Sequence, residues 1–384
     1  MDLIIGAGIT GLSYARYCGH DDYLILEKND HIGGYCNTIY KDDFVWDYSG
    51  HFFHFRDKHL KEELYKNFNS EDILTIKKHT QIEYNGRKID FPFQQNIHQL
   101  PKNEFIECLY DFYFRKDFEY KSFKQMIESR FGKSICDKFL IPYNEKLYAC
   151  DLNDLDHNAM GRFFPYVTLD DIIGNFKEKT TVSYNVEFTY HKRGAFKYVE
   201  AIFEEVDKRK CFLNEEVLNI DMNKKIVNTD KRDIEFDNVI STIPFNELLK
   251  RCAIKNDKRI YTWNKVLVFN LGFDSQSTDT VNHWIYVPSK EYSFYRVGFY
   301  SNILNQNKMS LYIEVSFSYD TDVNIEDTKF KVMKDLKKMG IITNQRLIAE
   351  HSIILNPAYV HINERMNKDK EEKMEYLNTK QILD

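Results

Sequence analysis

The chain has 384 residues, of which 43% are hydrophobic and 29% are charged, a balance that allows a sizeable core. Only 15 Gly and 7 Pro are present, which excludes collagen-like and Pro/Gly-rich disordered proteins. The net charge of −6 argues against a nucleic-acid partner, and no run approaches the roughly 18 apolar residues that a membrane-spanning helix needs.

The first 27 residues predict a nucleotide-binding unit. Residues 3–5 are typical of a short strand, residues 6–11 read Gly-Ala-Gly-Ile-Thr-Gly, and residues 12–17 predict a helix. A second apolar run at 24–26 is closed by Glu27. This order of strand, Gly-x-Gly-x-x-Gly, helix, strand and acid indicates a Rossmann-type site for a dinucleotide.

Each glycine of the motif has a physical role. Gly6 permits the tight turn, Gly8 lets a pyrophosphate approach the backbone, and Gly11 lets the helix pack closely on the strand. The helix N-terminus, at Ile9 and Thr10, offers backbone N–H groups to the phosphates. We therefore expect all five residues to bind the cofactor.

A second glycine-containing loop follows the acid. Glu27 is expected to accept hydrogen bonds from a ribose, and we place Lys28 in the same site. The pair Gly33-Gly34, six residues after Glu27, lets a loop pass close to a bound cofactor. Such a loop fits a large, deeply buried dinucleotide better than one that dissociates.

The acid, the Gly-Gly pair and the following Thr38 resemble a pattern of the flavoprotein group that contains amine oxidases, protoporphyrinogen oxidase and UDP-galactopyranose mutase. Members of that group hold FAD. The resemblance therefore implies FAD as the cofactor, with Thr38 among its contacts.

An aromatic run with two histidines occupies residues 44–54. One interpretation is an aromatic strand whose histidines are satisfied structurally, and the other is a wall beside the flavin. The stretch Ser49-Gly50-His51-Phe52-Phe53-His54 resembles the Gly-x-His-x-Phe-His segment of UDP-galactopyranose mutases. That resemblance implies that Gly50, His51 and His54 lie near the isoalloxazine.

A hairpin and a helical region come next. Asn85-Gly86 between the alternating runs 81–84 and 87–91 predicts a type I′ turn. The segment 91–94 resembles the Leu-Pro-Phe-Asn element of the mutases. From residue 102 to 139, apolar residues recur at spacings of three and four, which predicts core-facing helices.

The segment 140–148 resembles the mutases' Tyr-x-Glu-Lys-x-Trp motif, which lies near the substrate. Tyr143, Glu145 and Lys146 match, and Tyr148 replaces the Trp. Arg162 resembles the Arg of the family's Arg-Ile-Pro segment, although the second Arg that follows there is absent from this neighbourhood.

The chain is then expected to return to the cofactor domain. Gly194 precedes a predicted helix through residue 203 and resembles a Gly-Gly turn of the superfamily. Val217 stands where such flavoproteins place a Val whose backbone meets the adenine. The strand 236–244, which contains Thr242, resembles the group's Asp-x-Val-Ile-x-Thr-x-Pro strand.

Four further strands are predicted after residue 250, at 265–272, 283–288, 295–300 and 310–315. Arg296 lies among aromatic residues there, and an arginine fork can bind a diphosphate bidentately. The resemblance implies that Arg296 contacts flavin and diphosphate; the alternative is an edge-strand residue that aids solubility.

Together these patterns predict an α/β fold: a Rossmann-type FAD-binding domain, an antiparallel β-sheet substrate domain and a helical insert. The predicted boundaries are 1–75 and 189–248 for the FAD domain, 76–100 and 249–355 for the sheet domain, 101–188 for the helical insert, and 356–384 for a charged helix starting a return to the FAD domain. The family's C-terminal Gly-Arg strand and aromatic helix, which close over the flavin, are not found, so we expect compromised flavin binding or a truncated product.

The resemblance implies a flavin-dependent pyranose–furanose mutase acting on a UDP- or dTDP-sugar in surface polysaccharide biosynthesis. Reduced FAD would attack the anomeric carbon and displace the nucleoside diphosphate, with NAD(P)H a candidate reductant. Arg296 and Arg162 would hold the diphosphate, Tyr143 and Tyr148 would border the pocket, and His51 would flank the flavin.

Two other functions stay open: an FAD-dependent oxidoreductase of the amine oxidase or protoporphyrinogen oxidase type, and a non-catalytic flavin- or nucleotide-binding protein. The seven Cys lack Cys-x-x-Cys spacing and the twelve His lack His-Glu-x-x-His, so no metal site is predicted. Without a signal peptide, we expect reduced thiols and a cytoplasmic location, with a homodimer as a candidate assembly.

Overall fold

A computed structural model describes residues 1–161, 164–177, 186–257 and 259–384. The strands in these ranges are β1 Asp2–Ile5, β2 Tyr23–Leu26, β3 Thr38–Lys41, β4 Phe44–Asp47, β5 Ile73–Lys77, β6 Thr80–Tyr84, β7 Arg87–Asp90, β8 Glu187–His191, β9 Cys211–Phe212, β10 Val217–Asp221, β11 Ile226–Thr229, β12 Asp233–Glu235, β13 Asn238–Ser241, β14 Asn264–Phe273, β15 Trp284–Tyr286, β16 Arg296–Phe299, β17 Ser310–Ser318, β18 Leu347–Leu355 and β19 Ile382–Leu383.

The α-helices in the same ranges are α1 Ile9–Tyr17, α2 Lys58–Tyr65, α3 Lys102–Tyr113, α4 Phe123–Phe131, α5 Lys133–Ile135, α6 Ile141–Tyr148, α7 Leu169–Gly174, α8 Phe196–Phe203, α9 Phe245–Arg251, α10 Tyr300–Leu304, α11 Ile325–Lys338 and α12 Glu364–Thr379. A π-helical turn, Cys136–Leu140, joins α5 to α6.

The first layer is a parallel sheet of five strands in the order β19-β13-β1-β2-β9. Its central strand is fully buried, because Leu3 and Ile4 are both 0% exposed. A parallel strand covered on both faces favours such a continuous apolar run. The predicted Rossmann unit is therefore present, and β13 and β19 both join it from distant parts of the chain.

The second layer is a sheet of seven strands in the order β18-β14-β17-β16-β15-β6-β7. All neighbouring pairs are antiparallel except β15 and β6, which run parallel. The parallel contact lies where the hairpin β6–β7, from the first 90 residues of the chain, pairs with a sheet whose other strands follow residue 250. Asn85 and Gly86 have φ of 49° and 77°, so the hairpin turn has the predicted left-handed residues.

The two faces of the seven-stranded sheet have different partners. In β14, Leu267 and Phe269 face a core that includes Val332 and Leu336 of α11. The alternate residue Val268 faces a second core on the opposite side. This alternation is the period of two of a strand, and it leaves the second face available for the site described below.

Helices α3 to α7 form the predicted helical insert, and α12 covers the parallel sheet near β19. The charged helix predicted within 356–384 is present as α12, and its residues Met366 and Leu377 pack into the core of the parallel sheet. The fold class predicted from the sequence, α/β with a Rossmann-type domain, a largely antiparallel sheet and a helical insert, is confirmed.

Candidate functional site

A groove of about 860 Å³ opens at the carboxyl ends of β1, β2 and β13. That end of a parallel sheet is where open α/β folds bind their ligands. Eleven of the predicted cofactor residues line it: Gly6, Gly8, Ile9, Thr10, Glu27, Lys28, Gly33, Gly34, His51, Val217 and Thr242.

The three motif glycines are confined to different degrees. A Cβ on Gly6, whose φ is +104°, would lie 2.5 Å from Thr242 Oγ1, and one on Gly11 would lie 2.1 Å from the Gly6 carbonyl oxygen. A Cβ on Gly8 would meet no atom within 4 Å. Gly8 is also the N-cap of α1, and no side chain caps this helix, so the empty space beside Gly8 lies at the helix N-terminus. We call residues 6–11 the cradle, and its shape fits a pyrophosphate group.

Glu27 holds the cradle in shape. Its Oε2 accepts a hydrogen bond from Ala7 N at 2.9 Å, and its Oε1 accepts from Asn29 N at 3.0 Å and Asn29 Nδ2 at 2.7 Å. Each carboxylate oxygen has further acceptor capacity. Glu27 can therefore fix the loop and still accept a hydrogen bond from a ribose hydroxyl in the groove.

The Gly33-Gly34 loop lies directly against the cradle. Gly33 N donates to Ala7 O at 2.8 Å, and a Cβ on Gly34 would lie 3.6 Å from Gly8 Cα. Both glycines have positive φ, 105° and 57°. The expected close passage of a second loop is thus present in the structure.

Thr38 is buried and is not among the residues that line the groove. Its Oγ1 donates to Asp47 Oδ1 at 2.7 Å and accepts from Phe196 N at 3.0 Å. A Cβ on Gly194 would lie 2.3 Å from the Thr38 methyl, so this turn needs glycine. Thr38 therefore fixes the start of α8, and its contact with the cofactor stays a prediction.

The two histidines of the aromatic run lie in different surroundings. His51 lines the groove, with Nδ1 3.0 Å from the Ser49 carbonyl oxygen, and burial lowers its pKa. His54 is exposed, and its Nδ1 lies 3.0 Å from the carbonyl oxygen of Glu187. Gly50 is needed for close packing, because a Cβ there would lie 2.9 Å from the Tyr312 hydroxyl. His51 is thus brought to the groove, whereas Gly50 and His54 are not among its lining residues.

Arg296 forms a bidentate ion pair that the sequence did not indicate. Its Nε lies 2.6 Å from Glu314 Oε2 and its Nη2 lies 2.8 Å from Oε1, and Ser49 Oγ donates to the same carboxylate. Burial would raise the pKa of Glu314, but the Arg296 guanidinium, together with hydrogen bonds from Ser49 and Tyr295, outweighs burial and the pKa is lowered. Both charges act on the His51 imidazole, so the pair lies near the inner end of the groove.

Tyrosines surround this ion pair and form what we call the aromatic chamber. Its members come from α6, the seven-stranded sheet, the connection between β15 and β16, and the segment after β18. They are Tyr143, Tyr148, Tyr286, Tyr295, Tyr312 and Tyr359. The Tyr143 ring lies 5.3 Å from that of Tyr286, and the Tyr148 ring lies 6.0 Å from that of Tyr359. Burial raises the pKa of Tyr143 well above its ordinary value, so its hydroxyl stays protonated.

Val217 and Thr242 close the adenine end predicted for the groove. The Val217 carbonyl oxygen accepts from Arg251 Nε at 2.7 Å, and Thr242 Oγ1 donates to the Ile5 carbonyl oxygen at 2.9 Å. The Val217 backbone is thus held by the Arg251 side chain, and the Thr242 side chain is held by the backbone of β1. Arg162, the other predicted arginine, lies outside the described residues.

Several groove residues were missed by sequence reasoning. They are Tyr35, Cys36, Tyr48, Glu215, Glu216, Arg251, Ile353, Ile354, Asn356 and Pro357. The last four follow or end β18, and Asn356 N donates to the Tyr35 hydroxyl at 3.0 Å. A strand 320 residues beyond the glycine loop gives no local signal that it forms the opposite wall.

Within the described ranges, no group of three or more His, Cys, Asp or Glu residues is placed to hold a metal ion. No helix in those ranges is long and apolar enough to cross a membrane.

Comparisons with known proteins agree on a flavoprotein fold. The sequence profile of the family described as flavin containing amine oxidoreductase matches residues 9–357. A reduced UDP-galactopyranose mutase is similar with a TM-score of 0.91 and 23% identity, over 100% of this chain and 88% of that chain.

Two oxidoreductase structures are also similar. A candidate protoporphyrinogen oxidase from Exiguobacterium sp. 255-15 has a TM-score of 0.79 and 16% identity, over 100% of this chain and 92% of that one. A cyclohexylamine oxidase from Brevibacterium oxydans IH-35A has a TM-score of 0.63 and 12% identity, over 92% and 84%. With the profile match spanning most of the chain, this protein belongs to the flavin-containing amine oxidoreductase family and is an enzyme that uses a flavin cofactor.

Proposed function

We propose that this enzyme is an FAD-dependent mutase that interconverts the pyranose and furanose rings of a UDP- or dTDP-sugar. The observation that carries the proposal is the Arg296–Glu314 pair, enclosed by the aromatic chamber next to His51 at the inner end of the groove. The N–H groups of an arginine guanidinium can bind the oxygens of a diphosphate. The tyrosine rings offer flat apolar surfaces on which a nucleoside can pack. The Tyr143 and Tyr148 motif and the mutase-like fold support the same proposal.

The groove residues would hold FAD. Gly8 and the N-terminus of α1 would receive the pyrophosphate, Glu27 the ribose, and Val217 the adenine. When bound and reduced, the flavin would supply the nucleophile toward the anomeric carbon. His51 would border the ring system at the end of the groove.

Arg296 would bind the diphosphate of the substrate. Glu314 accepts from Nε and Nη2 of the guanidinium, and the Tyr359 side chain is a further hydrogen-bond partner. The N–H donors that these two partners leave would bind phosphate oxygens. Because Glu314 neutralises the guanidinium charge, the electrostatic attraction between Arg296 and the departing diphosphate would be moderate. Arg162 would assist in this role.

The tyrosines would shape the pocket and exclude water. Their pKa values are raised by burial, so their hydroxyls donate hydrogen bonds at neutral pH and carry no charge. Tyr143 and Tyr148 would border the sugar nucleotide from the helical insert. An electrophilic sugar intermediate needs this exclusion of water, since water would hydrolyse it.

The remaining predictions accompany this proposal. The domain boundaries, a homodimer, a cytoplasmic location, NAD(P)H as reductant and a role in surface polysaccharide synthesis stay predictions.

The proposal is tested by incubating the purified, FAD-loaded enzyme with UDP-galactose after dithionite reduction and resolving the two ring forms by chromatography. We expect conversion with reduced enzyme, none with oxidised enzyme, and a loss of at least about 100-fold in Arg296→Gln at equal flavin content. The exposed Lys77→Met serves as control and should match wild type. No conversion across a panel of UDP- and dTDP-sugars would reject the mutase proposal.

A second function, net oxidation, is favoured by the amine oxidoreductase profile and the similarity to a candidate protoporphyrinogen oxidase. The same preparation separates the two. An oxidase substrate bleaches the oxidised flavin stoichiometrically, whereas a mutase substrate requires prior reduction and leaves the flavin reduced.

A further inference from the structure

Lys78 is a cation held between aromatic rings at one end of the chamber. It lies between β5 and β6, partly buried, with Nζ 5.2 Å from the centre of the Phe91 ring and 6.0 Å from that of Trp284. A lysine ammonium at this distance from two rings is attracted to their faces. The position was not marked by any sequence motif.

The charge of the Lys78 ammonium is not balanced by a carboxylate within the described ranges. Among the described residues, no Asp or Glu oxygen forms an ion pair with Lys78, and burial, with no opposing charge, lowers its pKa to about 8. Lysines that are removed from water are normally paired. An unpaired one beside a candidate site is therefore available for an anion supplied by a ligand.

The rings around Lys78 connect it to the site. Trp284 stacks on Phe52, with centroids 5.4 Å apart and planes 5° from parallel, and Phe52 follows His51 in the chain. Phe91 packs on Tyr286 at 4.8 Å, and Tyr286 packs on Tyr143 at 5.3 Å. Lys78 therefore lies at the rim of the same aromatic chamber.

The charge balance of the chamber singles out Lys78. Arg296 is neutralised by Glu314, whose two oxygens it contacts. The His283 ring, whose Nδ1 accepts from His79 N at 3.0 Å, adds little positive charge, because burial lowers its pKa to about 4. The Lys78 ammonium therefore stays a positive charge at this rim for which the described residues supply no ion pair.

We propose that Lys78 binds an anionic group of the substrate, a phosphate or a carboxylate, whose adjoining apolar portion packs on Trp284 and Phe91. This assignment rests on the proposed function in taking the aromatic chamber as the substrate site. It adds a second point of recognition to Arg296. The strand register pairs Ile82 with Tyr286 and Tyr286 with Arg296, so β6, which Lys78 precedes, lies two strand spacings, roughly 10 Å, from β16.

The test compares Lys78→Met, which keeps the aliphatic stem, with Lys77→Met, the exposed neighbour at the end of β5. Dissociation constants for UDP, UDP-galactose and UDP-galacturonate are measured by calorimetry on FAD-loaded protein. We expect Lys78→Met to weaken binding about tenfold or more, with flavin content unchanged, and Lys78→Arg to restore most of it. Lys77→Met should bind as wild type.

The three probes identify the anion. Weakening with UDP itself assigns a phosphate, and weakening confined to UDP-galacturonate assigns a sugar carboxylate. Unchanged affinity of Lys78→Met for all three probes, or no binding by wild type, would overturn the proposal. Ring interconversion is measured separately. If Lys78→Met weakens binding but the wild type does not interconvert the rings, the mutase proposal is rejected. If the wild type interconverts the rings and Lys78→Met has no effect on binding, only the role of Lys78 is rejected.

Discussion

At the scale of single residues, two glycines of the N-terminal motif are required for different reasons: Gly11 for folding and Gly8 for cofactor binding. A Cβ at Gly8 meets no atom within 4 Å, while one at Gly11 would lie 2.1 Å from a backbone carbonyl oxygen. Both positions belong to the same motif, yet only Gly11 is constrained by the protein's own packing. At Gly8, the constraint we propose is the space that the pyrophosphate of the cofactor would occupy.

We therefore expect Gly8→Val to change the free energy of unfolding of the flavin-free protein by less than about 0.5 kcal/mol and to reduce flavin content at least tenfold. Gly11→Ala should destabilise the same protein by about 2–3 kcal/mol, because the backbone must move. Denaturant unfolding and the flavin absorption spectrum measure the two effects. Equal flavin content in Gly8→Val and wild type would contradict the assignment of the cradle.

At the scale of elements, one lysine joins the helical insert to the seven-stranded sheet. Lys146 of α6 donates to the backbone carbonyl oxygens of Val287, Ser289, Tyr292 and Phe294, at distances from 2.6 to 3.0 Å. These carbonyls belong to the connection between β15 and β16. Lys146 thus fixes Tyr143, on the same helix, relative to Tyr286 and Arg296, so its place in the family-like motif reflects positioning of the chamber.

Lys146→Met should destabilise the protein by about 3 kcal/mol, because buried carbonyl groups lose their donor. It should also raise the KM for the sugar nucleotide more than it lowers kcat, since the chamber walls shift relative to each other. Denaturant unfolding and steady-state kinetics report the two quantities. Lys133→Met, whose side chain is 80% exposed, is the control and should unfold within about 0.5 kcal/mol of wild type; an equal effect of both substitutions would argue against the positioning role.

At the scale of the whole molecule, Asp47 is a buried carboxyl where four chain segments meet. It accepts hydrogen bonds from Thr38 Oγ1, Tyr190 Oη and Ala195 N, at 2.7, 2.9 and 3.0 Å. Burial raises its pKa to about 7, against the opposing effect of these hydrogen bonds. The connection of α8 and β8 to the β3–β4 hairpin therefore depends on pH.

The sign of that dependence follows from the raised pKa. The folded protein keeps the Asp47 proton up to about pH 7, whereas the unfolded chain loses it near pH 4, so this contribution to stability is complete below about pH 4 and declines as the pH rises to 7, by up to roughly 4 kcal/mol. Asp47→Asn should remove the decline. Unfolding free energies at pH 4.5 to 8 measure it, and the exposed Asp43→Asn should leave the slope in this range unchanged; an identical slope in Asp47→Asn would refute the raised pKa.

How far the sequence could predict this molecule depended on distance along the chain. The cradle was predictable because β1, Gly6 to Gly11 and Glu27 form one local unit whose spacing is set by the turn. The Glu314 partner of Arg296 was not, because the strands were predicted but their register was not, and Glu314 faces Arg296 only through the pairing of β16 with β17. Lys78 carries no motif, and its importance appears only once Phe91 and Trp284 are brought beside it.

The register of the seven-stranded sheet has a consequence for substrate length. One row of paired residues crosses it from Ile353 through Val268, Glu314, Arg296 and Tyr286 to Ile82. Five strand spacings separate the ends, roughly 24 Å, and hydrogen bonds fix every step. The pairing therefore fixes the separation between Arg296 on β16 and β6, which Lys78 precedes, and a small amine or a free hexose would be too short to contact both Arg296 and Lys78.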